Sequence, residues 1–380
     1  VTRPLSVAIV CYPTYGGSGI VATELGKGLA ARGVTVHFVC YEPPRRLLPI
    51  PAGVTYHPVK VVSYPLFRFP PYTLSLSAAL LELIEGERPD IIHCHYAIPH
   101  AMSAWLSTTI ASPPHPALIT TLHGTDIELA RQDPSFRRMI AHSLVKSDGI
   151  TAVSAALARE TEEGFPEITG RITTIPNFVD TSLFHPGRDP RIRARFASPS
   201  EFLLVHCSNF RPLKRIGDVV STFAAVSARV PARLLLIGDG PDLPRAREHA
   251  RDLGILDRVC FQREVRKMQH YLPLGDLFLL PSERESFGLA ALEAMACGLP
   301  VIASDTGGLS EVVLEGVTGY LHPIGDTATA AARALAVLDN PGLRRAMSEA
   351  SRERAATRFS IAAGIDAYLH FYREILDRRT

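Results

Sequence analysis

Strand-length runs of almost uninterrupted apolar residues recur along this chain, each followed by a helix-length stretch, and this alternation limits the fold more than any other feature. In the N-terminal half the runs are Leu5–Cys11, Val34–Cys40, Asp90–His95, Ala117–Leu122 and Gly149–Val153. In the C-terminal half they are Phe202–Cys207, Arg233–Ile237, Arg258–Phe261, Leu277–Leu280, Val301–Ala303 and Tyr320–His322. A strand that is apolar on both faces needs cover on both faces, which points to parallel sheets wrapped by helices through right-handed βαβ crossovers. At 380 residues the chain is too long for one ordinary core and suits two domains of about 150–200 residues each. The stretch 175–190, punctuated by Pro176, Pro186, Gly187 and Pro190, is the natural hinge. The expected layout is a first domain over 1–180 and a second over 181–359. Helical patterns run from Pro341 to Arg358 and from Ile361 to Arg378, and the C-terminal helix, about 360–380, folds back onto the first domain. The fold class is therefore α/β, with two Rossmann-like doubly wound domains facing across a cleft. In such sheets ligands gather beyond the carboxyl ends of the strands.

Composition narrows the function. Hydrophobic residues make up 46% and charged residues 21%, and the net charge is +2, which gives no nucleic-acid footprint and no acidic tail. There is no charged leader with an apolar core, and no run of eighteen apolar residues, so neither export nor membrane spanning is expected. The six cysteines, Cys11, Cys40, Cys94, Cys207, Cys260 and Cys297, are scattered through apolar segments without a C-x-x-C pair. They read as buried free thiols in a reducing cytoplasm. Proline-rich stretches at 43–51 and 65–71 predict two rigid surface loops.

The richest segment is Ser282–Gly298, where Glu285 and Glu293 flank the start of a predicted helix approached by Ser286, Phe287 and Gly288. The free amides of a first turn suit phosphate, and two acids around it can accept hydrogen bonds from hydroxyls on either side of a diphosphate. A nucleotide sugar has that layout. Arg211, Lys214 and Arg215 follow the strand Phe202–Cys207 and can neutralise a diphosphate. Gly238-Asp239-Gly240 and Asp305 to Glu311 occupy further strand ends, as turns, caps or substrate contacts. Gly16-Gly17-Ser18-Gly19 follows the first strand, and Gly17-x-Gly19-x-x-Ala22 with Glu42 formally matches a dinucleotide fingerprint. Tyr12-Pro13-Thr14-Tyr15 makes that connection longer than the tight turn of a pyrophosphate site. His93, His95 and His100 have no acidic partner at ligand spacing, so no metal is expected. His123, before Gly124 at a strand end, is the better functional candidate, its neutral ring suited to a sugar hydroxyl.

Taken together, the Gly-Gly-Ser-Gly loop, Arg211 with Lys214, Gly238-Asp239-Gly240, and Glu285-x7-Glu293 running into Glu-Ala-Met-Ala-Cys-Gly-Leu-Pro-Val-Ile-Ala-Ser resemble the retaining GT-B glycosyltransferases of family 4. The resemblance spans nearly the whole chain. Cys11-Tyr12-Pro13, Tyr64-Pro65-Leu66-Phe67 with Pro70-Pro71-Tyr72, and His95-Tyr96-Ala97-Ile98-Pro99-His100 are similar to one subgroup, the N-acetylglucosaminyl L-malate synthases of bacillithiol biosynthesis. Thr121-Leu122-His123-Gly124-Thr125-Asp126 and Ser208-Asn209-Phe210-Arg211 agree with it.

The resemblance implies UDP-GlcNAc as donor, L-malate as acceptor, no cofactor or metal, and a homodimer. It implies catalytic roles for His123, Arg211, Lys214 and Glu285. Donor binding would fall to Gly17, Asn209, Arg211, Lys214, Asp239, Gly240, Glu285, Ser286, Phe287, Gly288 and Glu293, with Glu293 on the ribose hydroxyls. Many relatives carry an arginine where this chain has Asn209, so Asn209 serves either the donor phosphate or the acceptor. Malate has two carboxylates, and Ser18, Tyr96, Thr121, Asn209 and Arg211 are the candidates to meet them as the domains close. The rival readings are a related transferase using inositol phosphate or a glycan, an NAD-dependent oxidoreductase, and a non-catalytic nucleotide-sugar sensor.

Overall fold

The computed structural model describes residues 3–14, 16–62, 64–66, 68–263, 265 and 267–379. Tyr15 and Phe67, which belong to motifs named above, lie outside the described residues. The chain forms two compact units, one of Val1–Asn177 with Ile361–Thr380 and the other of Phe178–Ser360.

The first unit is built on a seven-stranded sheet of β1 (Ser6–Val10), β2 (Thr35–Cys40), β3 (Val54–Pro58), β4 (Ile91–His95), β5 (Ala117–Leu122), β6 (Gly149–Ala152) and β7 (Ile172–Thr174). Their order is β3-β2-β1-β4-β5-β6-β7, with every pair parallel. β1, β4, β5 and β6 are buried along their whole lengths, which explains their continuous apolar character. On one face Leu76, Leu80, Leu83 and Ile84 of the helix Tyr72–Glu87 pack with Ala8, Val10, Val39 and Ile92. The helix Gly17–Ala31 covers the other face, where a Cβ on Gly26 would lie 2.4 Å from the Phe38 ring. The C-terminal helix Ile361–Asp377 belongs to this unit and buries Ile365, Tyr368, Leu369, Phe371, Tyr372 and Ile375.

The second unit repeats the plan with β8 (Phe202–Cys207), β9 (Ala232–Ile237), β10 (Val259–Gln262), β11 (Leu277–Leu280), β12 (Val301–Ser304) and β13 (Gly319–His322). The order is β10-β9-β8-β11-β12-β13, again parallel throughout. Val219, Val220, Phe223 and Val226 of the helix Ile216–Ser227 join Leu204, Leu234, Leu236 and Ile302 in its core. Among the described residues no helix is long and apolar enough to cross a membrane.

The apolar runs all become strands, and the expected helices Pro341–Arg358 and Ile361–Asp377 form. The strands that apolar content does not reveal are β3 and β7. Both are sheet edges, and their residues are half-buried or exposed, so neither carries a continuous apolar run. β1 ends at Val10 and its helix begins at Gly17, a connection too long for a tight dinucleotide turn.

The returning helix seats closely enough to be tested. A Cβ on Gly28 would fall 1.8 Å from Ile365 Cδ1 and 2.7 Å from its Cγ1. Gly28→Ala should cost about 1–3 kcal/mol through overpacking. In Gly28→Ala/Ile365→Ala, denaturant titration should show more stability than the sum of the single changes predicts. Additive losses would show that the helix does not seat there.

Candidate functional site

Each sheet reverses its winding direction at its centre, between β1 and β4 in the first unit and between β8 and β11 in the second. Chains leaving such neighbouring strands diverge to opposite faces and leave a crevice at their carboxyl ends. The predicted site residues sit on the loops around these two points.

In the second unit, the loop after β8 is set from inside. His206 donates from Nδ1 to the Leu279 carbonyl (2.8 Å), and its Nε2 accepts from the Ser208 hydroxyl (2.8 Å), which in turn takes the Phe210 amide (3.3 Å). Burial pushes the His206 imidazole down to about 4, so it stays neutral and keeps that acceptor. Phe210 is fully buried at φ +40, a backbone conformation unusual for an aromatic residue, while its neighbours Asn209 and Arg211 remain exposed. The aromatic plug thus turns the polar residues on either side of it outward.

Across the crevice, Lys214 Nζ meets Glu285 Oε2 at 2.5 Å, and the Glu283 amide donates to the Leu213 carbonyl (2.8 Å). The Ser282 hydroxyl donates to the same Glu285 oxygen (3.3 Å). The backbone of Glu285 is clamped as well. Its carbonyl accepts the Gly308 amide (2.9 Å), and a Cβ on Gly307 would lie 2.1 Å from that oxygen. Ser286, Phe287 and Gly288 lead into the helix Leu289–Ala296, which starts from Gly288 at φ +101 with no side-chain cap. Its first-turn amides are therefore open to an anionic ligand. Phe287 is buried edge-on to Phe359 (5.6 Å between centroids), which leaves its backbone as the part able to meet a ligand. Glu293 is buried within that helix, about one turn in. Asp239 accepts from the Gly240 amide (2.8 Å) and from Arg263 (2.6 Å), while a Cβ on Gly240 would lie 2.1 Å from the Asn209 carbonyl. A bound diphosphate flanked by hydroxyls matches this set of cations, open amides and carboxylates.

The first unit presents a different chemistry. The Tyr96 hydroxyl donates to Ser18 Oγ (2.6 Å), joining the end of β4 to the start of the helix Gly17–Ala31. Tyr96 sits at φ +96, ψ 139, which for a bulky residue costs on the order of 1–3 kcal/mol and tends to occur where geometry serves function. Gly19 is fitted against the loop ahead of it, since a Cβ there would lie 2.6 Å from the Thr14 carbonyl. His123 Nε2 is 2.9 Å from His95 Nδ1, and its ring lies 5.3 Å from that of Tyr96. Burial lowers the His123 imidazole far below its usual range, so the ring is neutral, as a sugar-hydroxyl partner requires. Thr121 is buried, with its hydroxyl engaged by His93 Nε2 (2.6 Å), Thr151 (2.6 Å) and, more distantly, Tyr368 (3.3 Å). His93 also meets the Tyr372 hydroxyl (2.7 Å), so this network ties the C-terminal helix to the floor of the site.

The structure thus gathers Gly17, Ser18, Tyr96, Thr121 and His123 around one switch point, and Asn209, Arg211, Lys214, Asp239, Gly240, Glu285, Ser286, Phe287, Gly288 and Glu293 around the other. Sequence reasoning missed the His95–His123 pair, the His206–Ser208 support and Asp126, whose buried carboxylate accepts from the Ala97 amide (3.1 Å). The spacing His95 to His123 carries no signal, because only the register of β4 on β5 makes them neighbours. Glu42, which the dinucleotide reading needs on a ribose, is exposed beside Arg45 (3.9 Å). Among the described residues no group of three or more His, Cys, Asp or Glu side chains is arranged to hold a metal ion.

Comparison with known proteins adds two family matches, "Glycosyltransferase Family 4" over residues 15–183 and "Glycosyl transferases group 1" over residues 189–354. The chain is 41% identical to the N-acetyl-alpha-D-glucosaminyl L-malate synthase of Bacillus anthracis, over 98% of this chain and 97% of that protein. It is 29% identical to a D-inositol 3-phosphate glycosyltransferase of Stackebrandtia nassauensis, over 96% of this chain and 88% of the other. In three dimensions it matches a sucrose-phosphate synthase from Thermosynechococcus elongatus with a TM-score of 0.82 at 23% identity, covering 98% of this chain and all of that one.

The buried imidazoles set a direction for stability against pH. His93 is lowered to about 3 and His100 and His206 to about 4, chiefly by burial, and His95 and His123 shift the same way. Below an ordinary value of about 6.5 the unfolded chain takes up protons that these folded rings refuse, so stability falls with pH. Asp126 works the other way, since burial raises it to about 7 and the folded chain holds its proton across the window from about 4 to 7. The histidines outnumber it. Melting temperature should therefore fall between pH 7 and pH 5, and a flat profile would show that these rings are hydrated.

Proposed function

The chain belongs to glycosyltransferase family 4, and from that membership we propose that it transfers N-acetylglucosamine from UDP-GlcNAc to the hydroxyl of L-malate, releasing UDP. The observation that carries this reading is the 41% identity to a named L-malate synthase, over 98% of this chain and 97% of the relative. The product is GlcNAc-malate, the first intermediate of bacillithiol biosynthesis. Six free cysteines suit a reducing compartment, so the reaction is assigned to the cytoplasm.

Under this reading the second unit holds the donor. Lys214 and Arg211 neutralise the diphosphate, and the amides of the first turn of Leu289–Ala296 add partial positive charge. Glu285 and Glu293 accept hydrogen bonds from donor-sugar and ribose hydroxyls. The Lys214–Glu285 ion pair supports this role, because it prepositions a cation and a carboxylate that a phosphate and a hydroxyl can claim on binding. His123 serves the donor sugar as a neutral partner. Ser18 and Tyr96 meet the acceptor, with Asn209 and Arg211 as the charged and polar counterparts for its carboxylates.

The reaction is assigned as retaining. Glu285 and Glu293 are committed to hydroxyls, so no carboxylate is assigned as nucleophile. The malate hydroxyl attacks the anomeric carbon from the face that the diphosphate leaves, the bond to the phosphate oxygen breaks, and that oxygen takes the hydroxyl proton. Charge on the leaving group is met by Lys214, Arg211 and backbone amides, so the reaction is proposed to run without a metal.

Incubation with UDP-GlcNAc and a panel of small hydroxy acids should release UDP with L-malate, give a product of the summed mass less UDP, and be indifferent to EDTA. Absence of release with L-malate sinks the acceptor assignment, and release with inositol phosphate alone replaces it. Lys214→Ala should lower kcat by about 100- to 1,000-fold, the usual loss for a donor to a developing anion. Arg211→Ala should raise the acceptor KM, and an unchanged KM and kcat would remove it from the site.

A further inference from the structure

Tyr96 meets Ser18 from a backbone held at φ +96, a conformation that has to be enforced by what surrounds it. The next two amides supply the means. Ala97 and Ile98 both donate to one oxygen, Asp126 Oδ1, at 3.1 and 3.4 Å. Asp126 is 2% exposed, so it does not itself reach a ligand from solvent, and its second oxygen, Oδ2, is buried with no hydrogen-bond partner among the described residues. A buried carboxylate with one oxygen unsatisfied is costly, and a neutral amide could accept the same two bonds. Asp126 lies three residues beyond His123, across a turn that Gly124 makes at φ +95, and the first turn of the helix Thr125–Gln132 favours an acid there. The same short segment thus presents His123 on the site and grips the Tyr96 turn from beneath. From the other end, His100 Nδ1 donates to the His95 carbonyl at 2.5 Å, closing the turn that Asp126 holds.

We propose that Asp126 is a positioning residue for the acceptor, acting through Tyr96 by fixing the turn that delivers its hydroxyl to Ser18. This rests on the acceptor reading above. The side chain anchors the Tyr96 turn to the start of the helix Thr125–Gln132, so that the tyrosine loop cannot shift alone.

The test is steady-state kinetics of the full chain with UDP-GlcNAc and L-malate, alongside donor hydrolysis without acceptor. Asp126→Ala removes both amide contacts and should raise the acceptor KM by about tenfold or more, leaving donor KM and donor hydrolysis within about twofold. Asp126→Asn keeps an oxygen for the two amides and should return the acceptor KM to within about threefold of the parent chain. Should the alanine variant fail to fold, Asp126→Glu displaces the oxygen while keeping a carboxyl group, and the acceptor KM should again rise with donor parameters unmoved. An unchanged acceptor KM in a folded Ala or Glu variant overturns the proposal. So does a parallel loss of donor and acceptor parameters, or a failure of Asn to restore. If the parent chain itself shows no malate-dependent UDP release, the functional reading fails instead, which the parallel control separates.

Discussion

Reversal of winding at the centre of each parallel sheet is the constraint on which everything else depends. A strand whose crossovers all run one way has its outgoing chain covered by its neighbour's helix, whereas β1 beside β4 and β8 beside β11 send their chains to opposite faces. Each pair therefore leaves polar backbone and loop side chains uncovered at one place, and the molecule bridges that place in both units with a polar contact. In the first it is Tyr96 on Ser18, and in the second Lys214 on Glu285. These contacts join loops that are far apart in sequence and nearest in space only because the strands beneath them are in register.

Around both bridges the loops are over-determined. Phe210 at φ +40 and Tyr96 at φ +96 hold conformations that an isolated chain would rarely visit, and each is locked by burial or by hydrogen bonds to its neighbours. The glycines have the complementary role. Gly240 lets a turn lie against the Asn209 carbonyl, and Gly307 lets another lie against Glu285, at distances no Cβ could tolerate. Strain and close approach together place a few polar groups on rigid supports, which lowers the cost of ordering them when a ligand arrives.

The two units are matched to opposite tasks. The second offers cations, open amides and carboxylates at its switch point, a set suited to a nucleotide diphosphate and hydroxyls. The first offers neutral imidazoles and phenols. Burial keeps His93, His95 and His100 uncharged, and their mutual proximity disfavours protonation further in His95. Such rings accept or donate hydrogen bonds without carrying charge.

Apolar runs flanked by turn residues were enough to show parallel, doubly wound sheets, because a strand covered on both faces has to be apolar at consecutive positions. The same reasoning passed over β3 and β7, whose exposed edges impose no such pattern. Glu285, Gly288 and Glu293 were legible because their relation to the helix start is local, set by residues adjacent in the chain. The partners of those groups were not. That His95 meets His123, that Asp126 grips the turn after Tyr96, that His206 supports Ser208 from below, and that Tyr372 reaches His93 from the far end of the chain are consequences of strand register and helix return. Fold class and the chemistry of the groups at the helix start are legible along the chain, since both rest on local spacing. Which buried polar side chains support them is set by packing, because a hydrogen bond between distant residues leaves no period in the sequence.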